Sequence, residues 1–134
     1  MAQKGGSSNN RRLSALVVDD VTIIRLIHGA FLRRHGFLTR SVENGRQAVD
    51  LICSGEQFDV IFMDIRMPVM NGVQATRELR AMGVRSMIVG VDCELDHINE
   101  DYIQAGMNRV YEKPMTNDIV ISVRQELQNN NFMY

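Results

Sequence analysis

Four short apolar runs in this 134-residue chain each end on charge. Leu13 to Val18 leads into Asp19 and Asp20, Val60 to Met63 into Asp64, Ser86 to Val91 into Asp92, and Asn108 to Tyr111 into Glu112 and Lys113. An ionised side chain at the end of an apolar run needs a partner or a task, because burying a lone charge is costly. Three carboxylates held close together repel, and a hard divalent cation is the usual way to keep them ionised. Mg²⁺ accepts one or two carboxylates and keeps waters or phosphoryl oxygens as its other ligands. A lysine beside them holds a phosphoryl oxygen as a point charge. A free carboxylate next to a metal and a lysine is a nucleophile toward phosphorus, which would give an aspartyl phosphate. Phosphoryl transfer to an aspartate is the chemistry these residue types suggest. The plainer reading, an acid that only caps a loop, serves for Asp64 taken alone but not for Asp64 together with Asp19, Asp20, Asp92 and Lys113 placed in the same way.

These charges meet only if the runs before them lie side by side. Val60 to Met63 is continuously apolar, the pattern of a strand buried on both faces of a parallel sheet. Ile65 to Met70 then forms a loop in which Pro68 fixes φ, and Asn71-Gly72 turns the chain into a helix over 73–82. After the first strand, Ile23, Ile24, Ile27, Ala30 and Phe31 recur at helical spacing as an inward face until His35-Gly36. Phe37 to Val42 is a more polar strand, expected at a sheet edge. Asn44 caps a helix through Cys53 with Ala48, Val49 and Ile52 inward. An acidic helix is read over Leu95 to Ala105, and a last helix over 117–128 with Ile119, Val120, Val123 and Leu127 inward. Five strands alternating with five helices imply parallel pairing with right-handed crossovers and helices on both faces of one open sheet. The carboxyl ends of such strands share one rim, so Asp19, Asp20, Asp64, Asp92 and Lys113 converge there.

Composition sets the bounds. The length fits one domain able to bury a core, expected over 13–128 between a disordered tail at 1–12 and a polar tail at 129–134. A 45% hydrophobic content with 23% charge is that of a globular domain, and no apolar run approaches the ~20 residues of a membrane span. A net charge of -1 makes nucleic acid a poor partner. Cys53 and Cys93 share no metal-ligand spacing and nothing at the N-terminus resembles a secretory signal, so a cytoplasmic or nuclear location is expected. Cys53 is read as a buried apolar residue, and Cys93, beside the acids, as unreactive. Met63, Met67 and Met70 are read as packing rather than copper ligands, and His28, His35 and His97 show no ligand spacing.

Taken together, the acidic pair Asp19-Asp20, the run D-x-R-M-P-x-M-N-G from Asp64 to Gly72 and the pair Lys113-Pro114 resemble the response regulator receiver domain of two-component signalling. The resemblance spans about 13–127 and implies a doubly wound, flavodoxin-like (βα)5 fold in three layers with strand order 2-1-3-4-5. With S-M-I-V-G-V over Ser86 to Val91 and no output domain in view, the chain is most similar to stand-alone plant regulators of type C. The resemblance further implies that Asp64 accepts a phosphoryl group from a phosphohistidine on a phosphotransfer protein or sensor histidine kinase. It implies Mg²⁺ ligated by Asp20, Asp64 and the Arg66 carbonyl, with Asp19 acting through water. Lys113 would contact the phosphoryl oxygens, and Pro114 would hold its loop, often through a cis peptide. A monomer is expected.

Two positions depart from the pattern. Asp92 and Cys93 stand where receivers carry Ser or Thr and a small residue, and an ionised carboxylate cannot donate the hydrogen bond a hydroxyl gives. At 4 Å its repulsion with each phosphoryl charge would be on the order of 4 kcal/mol at an effective dielectric near 20. Asp92 is therefore expected to turn outward, bind the metal or shorten the life of the adduct. Val110 occupies the place of a switching Tyr or Phe, and Tyr111 faces the other way by the period of a strand. The expected role is a phosphate sink or modulator, with at most Mg²⁺-dependent self-phosphorylation and autodephosphorylation through Asp64. The alternative is a non-phosphorylated interaction module, a pseudo-receiver in which Asp92 disables or imitates the charged state. An FMN-binding flavodoxin would share only the fold, since two acids after the first strand repel a phosphate.

Overall fold

The computed structural model of the chain describes residues 11–94 and 100–129. Five strands, β1 (Ser14–Val18), β2 (Leu38–Val42), β3 (Val60–Asp64), β4 (Met87–Asp92) and β5 (Arg109–Glu112), alternate with five helices. The helices are α1 (Thr22–Arg34), α2 (Gly45–Cys53), α3 (Gly72–Ala81), α4 (Glu100–Ala105) and α5 (Asn117–Asn129). All strand pairs are parallel, in the order β2-β1-β3-β4-β5, so the expected doubly wound architecture is the one formed.

The sheet separates two apolar layers. Leu16, Val18, Ile61, Met63 and Ile88 pack with α2 and α3 through Ala48, Val49, Ala75 and Leu79. Ala15, Val17, Phe62, Val89 and Val91 pack on the other side with Leu32 of α1 and Val120 and Val123 of α5. Every residue of β3 is buried, as expected for a strand with helices above and below it. β2 is the exposed edge that its polarity announced. Two side chains start the helices beside the rim: Asn44 accepts from the Gln47 amide at α2, and Asn71 forms a capping box with Gln74 at α3. Asn71 is thus a helix cap as well as the turn residue expected, and Gln74 three positions on is the sequence signal for the box.

Three expectations are corrected. Ile23, Ile27 and Ala30 lie on the outer side of α1, and the buried stripe is His28, Gly29 and Leu32 with Ile24 and Phe31 half-buried. The face turned inward is the neighbouring i, i+4 row, which a run with apolar residues on both rows does not distinguish. Cys53 is exposed at the end of α2 rather than buried. At the start of the domain, Arg11 pairs with Asp59 at 2.9 Å and Arg12 donates to the Gly36 carbonyl, so these two residues of the expected tail are held on the domain. The remaining tail expectations fall on 1–10 and 130–134, and the start of the acidic helix on 95–99, all outside the described residues.

Candidate functional site

Register decides which strand-end charges meet. Val18 pairs with Met63, and Asp64 pairs with Val91, so Asp19 and Asp64 leave the sheet at one level. Asp92 pairs with Glu112, which sets Lys113 one residue past the same rim. Asp64 follows Met63 of the α2/α3 layer and, by strand alternation, turns toward the α1/α5 side, where Asp19 and Lys113 also lie. Lys113 Nζ sits 2.8 Å from Asp19 Oδ2 and 3.2 Å from Asp64 Oδ1. Asp19, Asp20 and Asp64 each offer a carboxylate oxygen within 4.8 Å of the others; Asp19 and Asp64 are buried and Asp20 is exposed. Four of the five expected residues are thus brought together.

The electrostatics follow from crowding. Burial raises the pKa of Asp64 and the negative charge of Asp19 adds to it, while Lys113 and the Arg66 amide oppose them; the result is a value of about 6. Burial lowers the pKa of Lys113, but its contacts with Asp19 and Asp64 outweigh that and hold it above the ordinary lysine value. The two directions are compatible, because the cation gains two anions whereas Asp64 gains one cation and faces a second acid. A site with an excess of buried carboxylate oxygens, one of them reluctant to ionise, fits a hard divalent cation such as Mg²⁺.

Several contacts fix this rim. Asp19 accepts from the Val21 amide at 2.9 Å and its carbonyl accepts from Arg25, which steadies the entry to α1. The Lys113–Pro114 peptide is cis, and the Met115 amide beyond it donates to Nε2 of buried His28 at 3.3 Å. Burial lowers the His28 pKa, with Asp19 opposing and Lys113 assisting, so the ring accepts this bond as a neutral imidazole. His28 therefore ties α1 to the lysine loop, a role its lone place in the sequence did not signal. On the other side, Met70 donates to the Pro68 carbonyl at 2.8 Å across Val69, whose φ of 70 is uncommon for a β-branched residue. Gly45 of α2 donates to the Met70 carbonyl and Gly72 to the Ile65 carbonyl, so the loop after Asp64 is pinned at both ends.

Asp92 takes neither of the two placements expected of it. It is fully buried, it is not among the clustered carboxylates, and it is not turned out to water. Val91 belongs to the α1/α5 layer, so the next residue faces the α4 side. There Arg66 donates from Nε to Asp92 Oδ1 at 2.8 Å and from Nη2 to Oδ2 at 3.4 Å, and the Tyr102 hydroxyl of α4 lies 3.2 Å from Oδ2. Burial raises the Asp92 pKa, but Arg66 and the amides of Glu94 and Cys93 outweigh it and the carboxyl titrates below its usual range. Its backbone carbonyl also accepts from the Lys113 amide at 2.7 Å. The side chain of Arg66 carried no site role in the sequence; an arginine two residues after a strand-end acid was the available signal.

Comparison with known proteins agrees with this geometry. Residues 15–124 match the profile of the response regulator receiver domain. The chain is 43% identical over 117 residues to two-component response regulator 24 of Arabidopsis thaliana, covering 87% of this chain and 84% of that one. The receiver domain of sensor histidine kinase PA1611 from Pseudomonas aeruginosa, solved with a magnesium ion in its active site cleft, is 33% identical with a TM-score of 0.74, covering 89% and 97% of the two chains. The receiver domain of Ssk1 from Saccharomyces cerevisiae, crystallised with the histidine phosphotransfer protein Ypd1, shares the fold at 23% identity and a TM-score of 0.80, covering 91% and 92%.

Proposed function

The chain belongs to the response regulator receiver family, and from that premise we propose that Asp64 takes a phosphoryl group from a phosphohistidine and afterwards loses it to water, as a sink or modulator in a phosphorelay. The observation that carries the reading is Lys113 Nζ lying between Asp19 and Asp64, at 2.8 and 3.2 Å, beside a third acid. In the transfer, a carboxylate oxygen of Asp64 forms a bond to phosphorus as the P–N bond of the phosphohistidine breaks. The imidazole leaves with the electron pair. Lys113 holds a non-bridging oxygen on which charge stays high throughout. Asp20, Asp64 and the Arg66 carbonyl are the ligands proposed for Mg²⁺, with Asp19 reached through water; bound there, the ion supplies positive charge to the phosphoryl oxygens.

The test is incubation of the protein with a phosphorylated histidine phosphotransfer protein and Mg²⁺, followed by the label. Uptake that persists unchanged in Asp64→Asn would overturn the proposal, and a wild-type chain that takes no label would instead support the non-phosphorylated module.

The donor's docking place is proposed on α1. Val21 just before it and Ile23, Leu26 and Ile27 on it are all exposed, immediately after the acidic pair. Apolar side chains grouped in this way beside a reactive rim fit a protein partner rather than water. Replacing Ile23 and Ile27 together by Glu is expected to slow transfer from a phosphotransfer protein by about tenfold or more. Uptake from phosphoramidate, which needs no docking, should be unchanged. Equal slowing with both donors would place the defect in the site and not in docking.

A further inference from the structure

We propose that Arg66 is a catalytic residue of the phosphoryl site and that Asp92 positions it, the pair replacing the hydroxyl donor that this chain lacks. The inference rests on the reading of Asp64 as phosphoryl acceptor. Arg66 spans the two acids: its amide donates to Asp64 Oδ1 at 3.4 Å, and its guanidinium holds Asp92 through Nε at 2.8 Å and Nη2 at 3.4 Å. That grip uses one edge of the fork. Nη1, with both of its N–H groups, makes no hydrogen bond among the described residues, and the side chain remains 61% exposed on the loop that directly follows Asp64. A planar guanidinium held along one edge and open along the other is suited to receive an anion.

Asp92 supplies what the guanidinium would otherwise lack, a fixed orientation. Its carboxylate is buried, accepts from the Tyr102 hydroxyl at 3.2 Å, and has a backbone carbonyl that accepts from Lys113, the other cation of the site. An arginine on a solvated loop spreads over many rotamers, and holding one end of it removes most of that freedom before the phosphoryl group arrives. The charge at Asp92 is also matched by its own counter-ion, which removes the repulsion an unpaired acid would impose on the phosphoryl oxygens. Arg66 transfers no proton. It donates hydrogen bonds to non-bridging oxygens while the P–N bond of the donor breaks and the P–O bond to Asp64 forms.

The experiment measures phosphoryl uptake from phosphoramidate with Mg²⁺ in the wild type, Arg66→Gln, Asp92→Asn, the double variant and Arg66→Gln with Asp92→Thr, each checked for a native melt. Expected are losses of about tenfold or more in either single variant, no further loss in the double, and recovery when threonine restores a hydroxyl donor in the Arg66→Gln background. Arg66→Lys, which keeps the charge and loses the fork, should fall between. As an independent readout, the Arg66 Nε–H resonance should move on phosphorylation in the wild type and not in Asp64→Asn. Faster uptake in Asp92→Asn would identify Asp92 as a repelling charge, and wild-type uptake in Arg66→Gln or additive losses in the double would equally overturn the assignment. A wild type that takes no label at all refutes instead the reading of Asp64.

Discussion

Asp64→Asn is expected to abolish phosphoryl uptake while raising the melting temperature of the metal-free protein at pH 8. The two effects share one cause. In the fold the Asp64 carboxyl titrates at about 6, against 3.8 for the ordinary group, because it is buried beside Asp19. A carboxyl whose folded value is raised contributes stability that is complete below pH 3.8, and this is lost as pH rises through about 6. At about 1.4 kcal/mol per factor of ten, the gap amounts to roughly 3 kcal/mol of destabilisation once Asp64 is ionised. Asparagine keeps the shape and removes the charge, so the variant should exceed the wild type by up to about that amount at pH 8 and match it near pH 4. His28 and Asp92, whose values are lowered, produce acid-side losses of their own, but these are common to both proteins and cancel in the difference. Thermal melts of the pair across pH 4 to 8 in chelator check this. Mg²⁺ should then stabilise the wild type more than the variant, because the excess negative charge that penalises the empty fold is what attracts the ion. A wild type more stable than Asp64→Asn at pH 8 without metal would refute the electrostatic account.

Gly72→Ala is expected to cost about 3 kcal/mol of stability and to reduce phosphoryl uptake at least tenfold. A Cβ at Gly72 would stand 2.3 Å from the Asp64 carbonyl oxygen and 3.0 Å from the Ile65 Cα. Both are backbone atoms of the segment that carries the acceptor, and neither can rotate away. Relief requires α3 to back off or the end of β3 to shift, and either change moves Asp64 relative to Lys113. Gly90→Ala offers the contrast: its Cβ would meet the Met107 sulfur at 2.5 Å, the flexible part of a side chain that can swing aside. A calorimetric melt and a phosphoramidate uptake assay on both variants test the distinction. Equal, small losses in the two would show that the approach of α3 to β3 has more slack than the contact implies.

The architecture was legible in the sequence because its cause is local. Val60 to Met63 can be buried on two sides only in a covered parallel sheet, and strands alternating with helices leave one sensible way to join them. That reasoning also placed Asp19, Asp20, Asp64 and Lys113 at one rim, since a parallel sheet gathers its strand ends whatever the exact register. The three methionines fell where packing put them, with Met63, Met67 and Met70 all buried against the α2/α3 layer.

What only the tertiary structure decided were questions of side and of partner. Whether the outer or inner row of α1 faced the sheet depended on the helix's rotation, and both rows were apolar enough to serve, so His28 rather than Ile27 was buried. Whether Asp92 joined the acids or opposed them depended on parity: one residue along a strand reverses the face, and with it the set of neighbours. The sequence by itself determined that charges would gather at the ends of the strands, because that follows from chain direction. The pairing of Asp92 with Arg66 was settled by the register of β3 against β4 and the path of the loop between them, which no local propensity specifies.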